Sequence, residues 1–265
     1  MLQLKGIEQI FHAGEVNEVR ALRGVDLRLT PGQFVTVIGS NGAGKSTLFN
    51  VIAGLFAPTR GQVIIDGTDV SLWPEHKRAA WIGRVFQDPL LGTAASMTIA
   101  QNLTLAMLRS QRLQWRTGVT KARRRAFAEL LAPLDLGLEK RLESRVALLS
   151  GGQRQALTLI MATLAHPKIV LLDEHVAALD PATAAKILSL TSQFVASQQL
   201  TALMITHNMQ QALSIGDRTL MMDSGRIVLD LAGAEREQMT VQGLIDRFSQ
   251  VRHSQLLEDE LLLSR

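Results

Sequence analysis

The run Gly39-Ser40-Asn41-Gly42-Ala43-Gly44-Lys45-Ser46-Thr47 carries the densest chemistry in the chain. It spaces a glycine, four further residues and Gly-Lys-Ser, so that backbone N–H groups can turn inward around a polyphosphate. A helix opening near Lys45 adds its positive end to that cradle. Lys45 supplies a point charge for β- and γ-phosphates, and the Ser46 hydroxyl is an oxygen ligand for Mg²⁺. The run follows the apolar Val35, Val37 and Ile38, the strand such a loop requires. The expected ligand of residues 39–47 is a nucleoside triphosphate.

A second element matches it. Ile169-Val170-Leu171-Leu172-Asp173-Glu174 is an apolar strand delivering two carboxylates at its C-terminal end, the edge at which open α/β sheets bind ligands. Asp173 suits Mg²⁺, directly or through water, and Glu174 suits an attacking water that needs polarising.

Ahead of that strand stands Leu149-Ser150-Gly151-Gly152-Gln153. This string, between the phosphate loop and the Asp-Glu strand, resembles the signature of the ATP-binding-cassette (ABC) family, and the resemblance runs to about Leu229. It implies an α/β phosphate-loop NTPase fold with a RecA-like core sheet, an antiparallel β subdomain and a helical subdomain. The nucleotide-binding domain would span 1–235, with the helical part inserted at about 98–166 and a short helical C-terminal extension at 236–265. The implied ligands are ATP and Mg²⁺. Two copies are implied to pair head-to-tail, Ser150, Gly151, Gly152 and Gln153 of one facing the phosphate loop of the other.

The resemblance assigns further residues. Gln87, in Val85-Phe86-Gln87-Asp88-Pro89, matches the loop glutamine that touches Mg²⁺ or the attacking water. His207, in Ile205-Thr206-His207-Asn208, matches the switch histidine at the γ-phosphate. Asp180, in Ala178-Leu179-Asp180, matches the loop that crosses the dimer interface, and Phe11 is the aromatic available to stack on adenine. One departure stands out. The family commonly has proline after its catalytic glutamate, and this chain has His175, read either as a backbone support or as an imidazole beside the γ-phosphate that adds pH sensitivity.

What such an engine drives follows from the same resemblance. The expected function is the ATP-hydrolysing subunit of a transporter, acting on separate integral-membrane permease subunits from the cytoplasmic face of the inner membrane. Separate cassettes of this kind resemble those of bacterial solute importers that work with a solute-binding protein, and a bacterial group with similar details is associated with uptake of amino acids, aromatic ones among them. Pro89 to Met97 would receive the permease, with Leu90, Leu91 and Met97 as apolar anchors. The alternative is an ABC ATPase of a lipoprotein-extraction or cell-division type, where starts like Asn17-Glu18-Val19-Arg20-Ala21-Leu22 also occur, or of a soluble non-transport assembly.

These residues need a scaffold, and the rest of the sequence describes one. Short β-like runs occur at Leu2–Ile7, Val25–Leu29, Phe34–Ile38, Val63–Ile65, Ile82–Phe86, Ile169–Leu172, Ala202–Ile205, Thr219–Met222 and Ile227–Leu229. Ile169–Leu172 and Ala202–Ile205 are apolar at successive positions, as central parallel strands are. From about Thr98 to His166 apolar residues recur at helical spacing, and after Leu229 one or two small helices are expected. Across 265 residues, 46% hydrophobic content supports a sizeable core, and the absence of cysteine excludes disulfides and thiol chemistry. No apolar stretch reaches the roughly 20 residues of a membrane span. The net charge of +4 is too small and dispersed to indicate nucleic acid, and none is expected as a partner. A basic cluster (Arg109, Arg112, Arg116, Lys121, Arg123, Arg124, Arg125) reads as a solvated face or a contact for a partner or anionic lipid.

Overall fold

The structure, a computed structural model, describes residues 1–109 and 118–250. Arg112, Arg116 and Leu256–Arg265 lie outside them.

Strand β3 (Phe34–Gly39) is buried at every position but its last, because it has a parallel neighbour on each side and is covered on both faces. It lies between β8 (Thr201–Ile205) and β9 (Arg218–Asp223). The sheet continues from β8 through β7 (Ile169–Asp173) to β6 (Ile82–Val85), and β10 (Arg226–Ala232) closes the far edge. Only β10 runs antiparallel to its neighbour. Side chains alternate across the sheet: Val35, Val37, Ile169, Leu171, Leu203 and Ile205 enter one apolar cluster, while Phe34, Val170, Leu172, Ala202 and Met204 enter another.

The first cluster is covered by an antiparallel sheet of β1 (Leu2–Phe11), β2 (Val19–Leu29), β4 (Arg60–Ile65) and β5 (Thr68–Asp69), in the order β2-β1-β4-β5. Helix α1 (Lys45–Ala53) lies in the same layer, with Leu48, Phe49 and Ile52 in that core. A polar face alternating with Leu22, Val25, Leu27 and Leu29 makes β2 a half-exposed strand. It begins at Val19, six residues before the expected Val25, because register shifts against β1 interrupt the two-residue alternation that marks a strand in sequence.

The second cluster is covered by helices: α3 (Ile99–Leu108), α4 (Lys121–Leu131), α5 (Gly151–Thr163) and α6 (Pro181–Ser197). The first three occupy the interval expected to be helical. Thr98 starts it with a reciprocal cap, its hydroxyl accepting from the Gln101 amide while Gln101 accepts from the Thr98 amide. Gly83 lets α5 close on β6, since a Cβ there would stand 2.4 Å from the Ala162 carbonyl. Short helices α2 (Glu75–Arg78) and α7 (Met209–Ser214) connect strands, and two helical segments, α8 (Gly233–Glu237) and residues 241–250, follow β10. Of the basic cluster, Arg124 and Arg125 are paired with Glu143 and Glu129.

One buried cation fastens α1, the helix behind the phosphate loop. Arg78 is 1% exposed. Its Nη1 donates to the Val51 and Ile52 carbonyls at 2.7 and 2.9 Å, closing the C-terminal end of α1. Its Nη2 and Nε donate to Ser71 and Trp73 carbonyls. Burial pulls its pKa down to about 10, which leaves it charged at neutral pH. Replacing it strands several buried carbonyls, each costing about 1–3 kcal/mol. Arg78→Met is expected to lower unfolding free energy by ~3 kcal/mol in urea titrations; a loss under ~1 kcal/mol contradicts this fastening role.

Candidate nucleotide site

The phosphate-loop string joins the end of β3 to the start of α1. Gly44 is the N-cap of α1 with φ 98°, a conformation open to glycine, and a Cβ there would stand 2.5 Å from the Ala21 carbonyl. The helix therefore opens with bare N–H groups and no acidic side chain in its first turn, a surface suited to an anion. The Lys45 ammonium folds back over the loop, donating to the Gly39 and Ser40 carbonyls at 2.8 and 2.9 Å. Burial lowers its pKa, and the nearby Glu174 and Asp173 charges oppose that. Ser40 Oγ reaches Asp223 at 3.2 Å, and the Gly225 amide donates to the Ala43 carbonyl, tying the loop to the β9–β10 turn.

A cleft of about 490 Å³ opens over this loop, lined by Phe11, Asn41 to Thr47, Glu174 and His207. Residues separated by more than 190 positions thus share one cavity. Phe11 ends β1 and stands edge-on to Phe56, ring centroids 5.3 Å apart, leaving it part-exposed at the rim. Glu174 follows β7 with φ 46°, left-handed for a non-glycine residue, and its amide donates to the Ile205 carbonyl. Its Oε1 lies 2.6 Å from His207 Nε2, so the carboxylate and the imidazole that follows β8 orient one another.

Asp173 ends β7, and its Oδ2 is 3.2 Å from Arg84 Nη2. Arg84 also stacks on Phe86, 4.6 Å from the ring centroid. Gln87 is exposed just beyond that ring and does not line the cleft. Its loop is held by Gln155, whose Nε2 donates to the Phe86 carbonyl.

Ser150, Gly151, Gly152, Gln153 and Asp180 also lie outside the cleft lining. Ser150 caps α5 in a reciprocal pair with Gln153, whose Oε1 accepts from the Ser150 amide. Asp180 caps α6 by accepting from the Thr183 amide, and the Thr183 hydroxyl first, with that amide, holds its carboxyl below the usual range. The two helix starts touch: a Cβ on Gly152 would stand 2.3 Å from Thr183 Cγ2. His175 is turned away from the cleft. It is 2% exposed with Nε2 3.0 Å from Thr191 Oγ1 in α6, and burial pushes its pKa down to about 4. An imidazole beside the γ-phosphate is not what this position provides.

The sequence reading missed Arg20, Arg23 and Ser224, which line the cleft, and Arg84, which meets Asp173. Arg84 had a signal, a lone charge inside an otherwise apolar strand next to Gln87. Ser224 had none, because only β9 pairing beside β3 brings its turn to the loop.

The geometry is a nucleotide cleft with a carboxylate and an imidazole at its mouth, and comparison with known proteins agrees. The family model described as ABC transporter matches residues 22–177. A tyrosine transport ATP-binding protein of Clostridioides difficile strain R20291 is 43% identical over 250 residues, 94% of this chain and 98% of that protein. The chain belongs to the ABC transporter family. The thiamine import ATP-binding protein ThiQ of Yersinia pseudotuberculosis is 37% identical over 205 residues, 77% of this cassette and 82% of that protein. A solved ATP-binding cassette, a dimer in a post-hydrolysis state with ADP and Pi, superposes with TM-score 0.75 at 29% identity, covering 88% of this chain and 98% of that one. The protein is an ATP-binding, ATP-hydrolysing cassette of an ABC transporter, and no helix among its described residues is long and apolar enough to cross a membrane.

Ser46 and Asp173 are hard oxygen donors of the kind Mg²⁺ prefers. Among the described residues no group of three His, Cys, Asp or Glu comes together to hold a metal, and Mg²⁺ bound with a phosphate chain draws its other ligands from phosphate and water. The donor set fits that ion.

Lys45→Ala is expected to weaken ATP binding roughly 10- to 100-fold, the value of charge-assisted contacts to phosphate, in fluorescent-nucleotide titrations. Unchanged affinity contradicts the assigned loop.

Proposed function

We propose that this cassette energises uptake of a small solute, an amino acid by kinship with the tyrosine transport protein, through a separate membrane permease. The observation that carries the mechanism is a separation: the Ser150–Gln153 helix start does not line the cleft that Lys45, Glu174 and His207 line. A nucleotide in that cleft meets only half of a site, and a second copy arranged head-to-tail supplies the other half.

In this reading Phe11 packs on adenine and the amides of Gly42 to Thr47 wrap the phosphates. Lys45 exchanges its contacts with the Gly39 and Ser40 carbonyls for β- and γ-phosphate oxygens. Ser46 and Asp173 would hold Mg²⁺, joined by Gln87 only once its exposed loop closes over the cleft, and the ion when bound would offset the charge that develops on the phosphates. Glu174 polarises the attacking water, its carboxylate aimed by His207, which also meets the γ-phosphate. From the second copy, Ser150 and the Gly151–Gly152 amides point a helix N-terminus at the γ-phosphate, and Asp180 lines the seam. Binding closes the pair and hydrolysis reopens it.

The permease side has its own support. A cavity of about 250 Å³ lies beside β6, lined by Arg84, Phe86, Gly92, Ala106 and Arg109 among others. Leu90 and Leu91, beyond Gln87, are 46% and 71% exposed, offering apolar anchors to a short helix of the permease. Arg84 belongs both to this cavity and to the Asp173 pair, so a partner seated here adjoins the metal ligand. The cassette would then lie at the cytoplasmic face of the inner membrane, and a solute-binding protein would deliver the solute to the permease.

Glu174→Gln is expected to keep ATP affinity, slow turnover roughly 10²- to 10⁴-fold and accumulate as an ATP-bound dimer in light scattering. Tagged Glu174→Gln recovered from detergent-solubilised membranes with ATP is expected to bring down a multi-span protein by mass spectrometry. Recovery of soluble partners alone overturns the transporter assignment and leaves the ATPase.

A further inference from the structure

We infer that His175 is a positioning residue for Glu174, acting through a single hydrogen bond to Thr191 on α6. This rests on the assignment of Glu174 as the group that polarises the attacking water.

The direction of that bond is set by its neighbours. Thr191 Oγ1 lies 2.8 Å from the Ile187 carbonyl and 3.0 Å from His175 Nε2. A carbonyl only accepts, so the single hydroxyl proton of Thr191 goes to Ile187, and Thr191 must accept from His175. His175 is therefore the Nε2–H tautomer. Its Nδ1 is buried with no hydrogen-bond partner among the described residues, so the Thr191 contact is the ring's one polar anchor there.

That anchor sits next to a strained residue. Glu174 holds φ 46°, a conformation that side chains avoid unless the surroundings enforce it. Two backbone bonds hold it, its amide to the Ile205 carbonyl and its carbonyl from the Ala177 amide. Neither fixes the chain at position 175. The buried imidazole does, fastening the residue after Glu174 to the third turn of α6. Where a proline ring would stiffen this position covalently, the chain here uses a side-chain tether. Releasing it lets Glu174 relax toward ordinary backbone angles and carries its carboxylate off the 2.6 Å contact with His207. Lys45 and the phosphate loop are untouched, so nucleotide affinity is spared.

The test is a set of near-isosteric variants. Thr191→Val removes the acceptor and should lower kcat about tenfold, the scale of a sub-ångström misplacement, with ATP Kd unchanged. Thr191→Ser keeps the hydroxyl and should restore turnover. Wild-type kcat in a folded Thr191→Val overturns the inference, as does an equal loss in Thr191→Ser. Glu174→Gln measured alongside separates the two claims: normal turnover there removes the base assignment itself, whereas slow Glu174→Gln with wild-type Thr191→Val removes only the tether. Should Thr191→Val not fold, ¹⁵N-resolved imidazole spectra of the unmodified cassette decide. An Nε2–H tautomer at His175 supports the tether, and an Nδ1–H tautomer overturns it.

Discussion

The parallel ladder of β3, β8 and β7 is the constraint on which the rest depends. Val37 pairs with Ile205, and Ile205 pairs with Asp173, so β7 and β8 end level and β3 runs two residues further. The phosphate loop leaves β3 two residues past Val37, Glu174 follows β7, and His207 follows β8. Because side chains alternate along a strand, a slip of one residue in either pairing would send a whole strand's side chains into the opposite apolar layer, whose packing they do not match. The apolar layers on both faces thus fix the register, and the register delivers the lysine, the carboxylate and the imidazole to one cleft. The chemistry at the edge is specified by packing in the middle.

The parts of the site that a local string encodes were legible in the sequence. The phosphate loop, the Asp173-Glu174 strand end and the Ser150-led helix start each need a particular order of residue types, and each folds as that order requires. The strand and helix intervals followed from periodicity where a face is continuously buried, as in β3, β7 and α5. What stayed hidden depends on three-dimensional proximity. The start of β2 was lost to its register shifts, and Ser224 reaches the cleft only through strand pairing. His175 shows the limit best: its place next to Glu174 in sequence left open a backbone support or an imidazole at the cleft, and only the structure, turning its ring into α6, separates the two.

Gly152 and Thr183 illustrate how tightly the two halves of the chain are joined. Van der Waals contact at that point leaves no room for even a methyl group, so the starts of α5 and α6 move as one piece. Helix α6 also carries Thr191 and, through it, His175. In the paired arrangement proposed above, the segment presented to one nucleotide is thereby packed against the helix that orients the carboxylate at the other.

The contact between Arg84 and Asp173 has a further consequence for how the resting protein meets its surroundings. With a guanidinium already against it, the aspartate presents little net charge to a lone divalent ion. Glu174, held on His207 and facing Lys45, is similarly compensated. An idle cassette of this design is a poor chelator: the metal gains most by arriving with the anionic tail that escorts it, and stray cations find no vacancy worth filling.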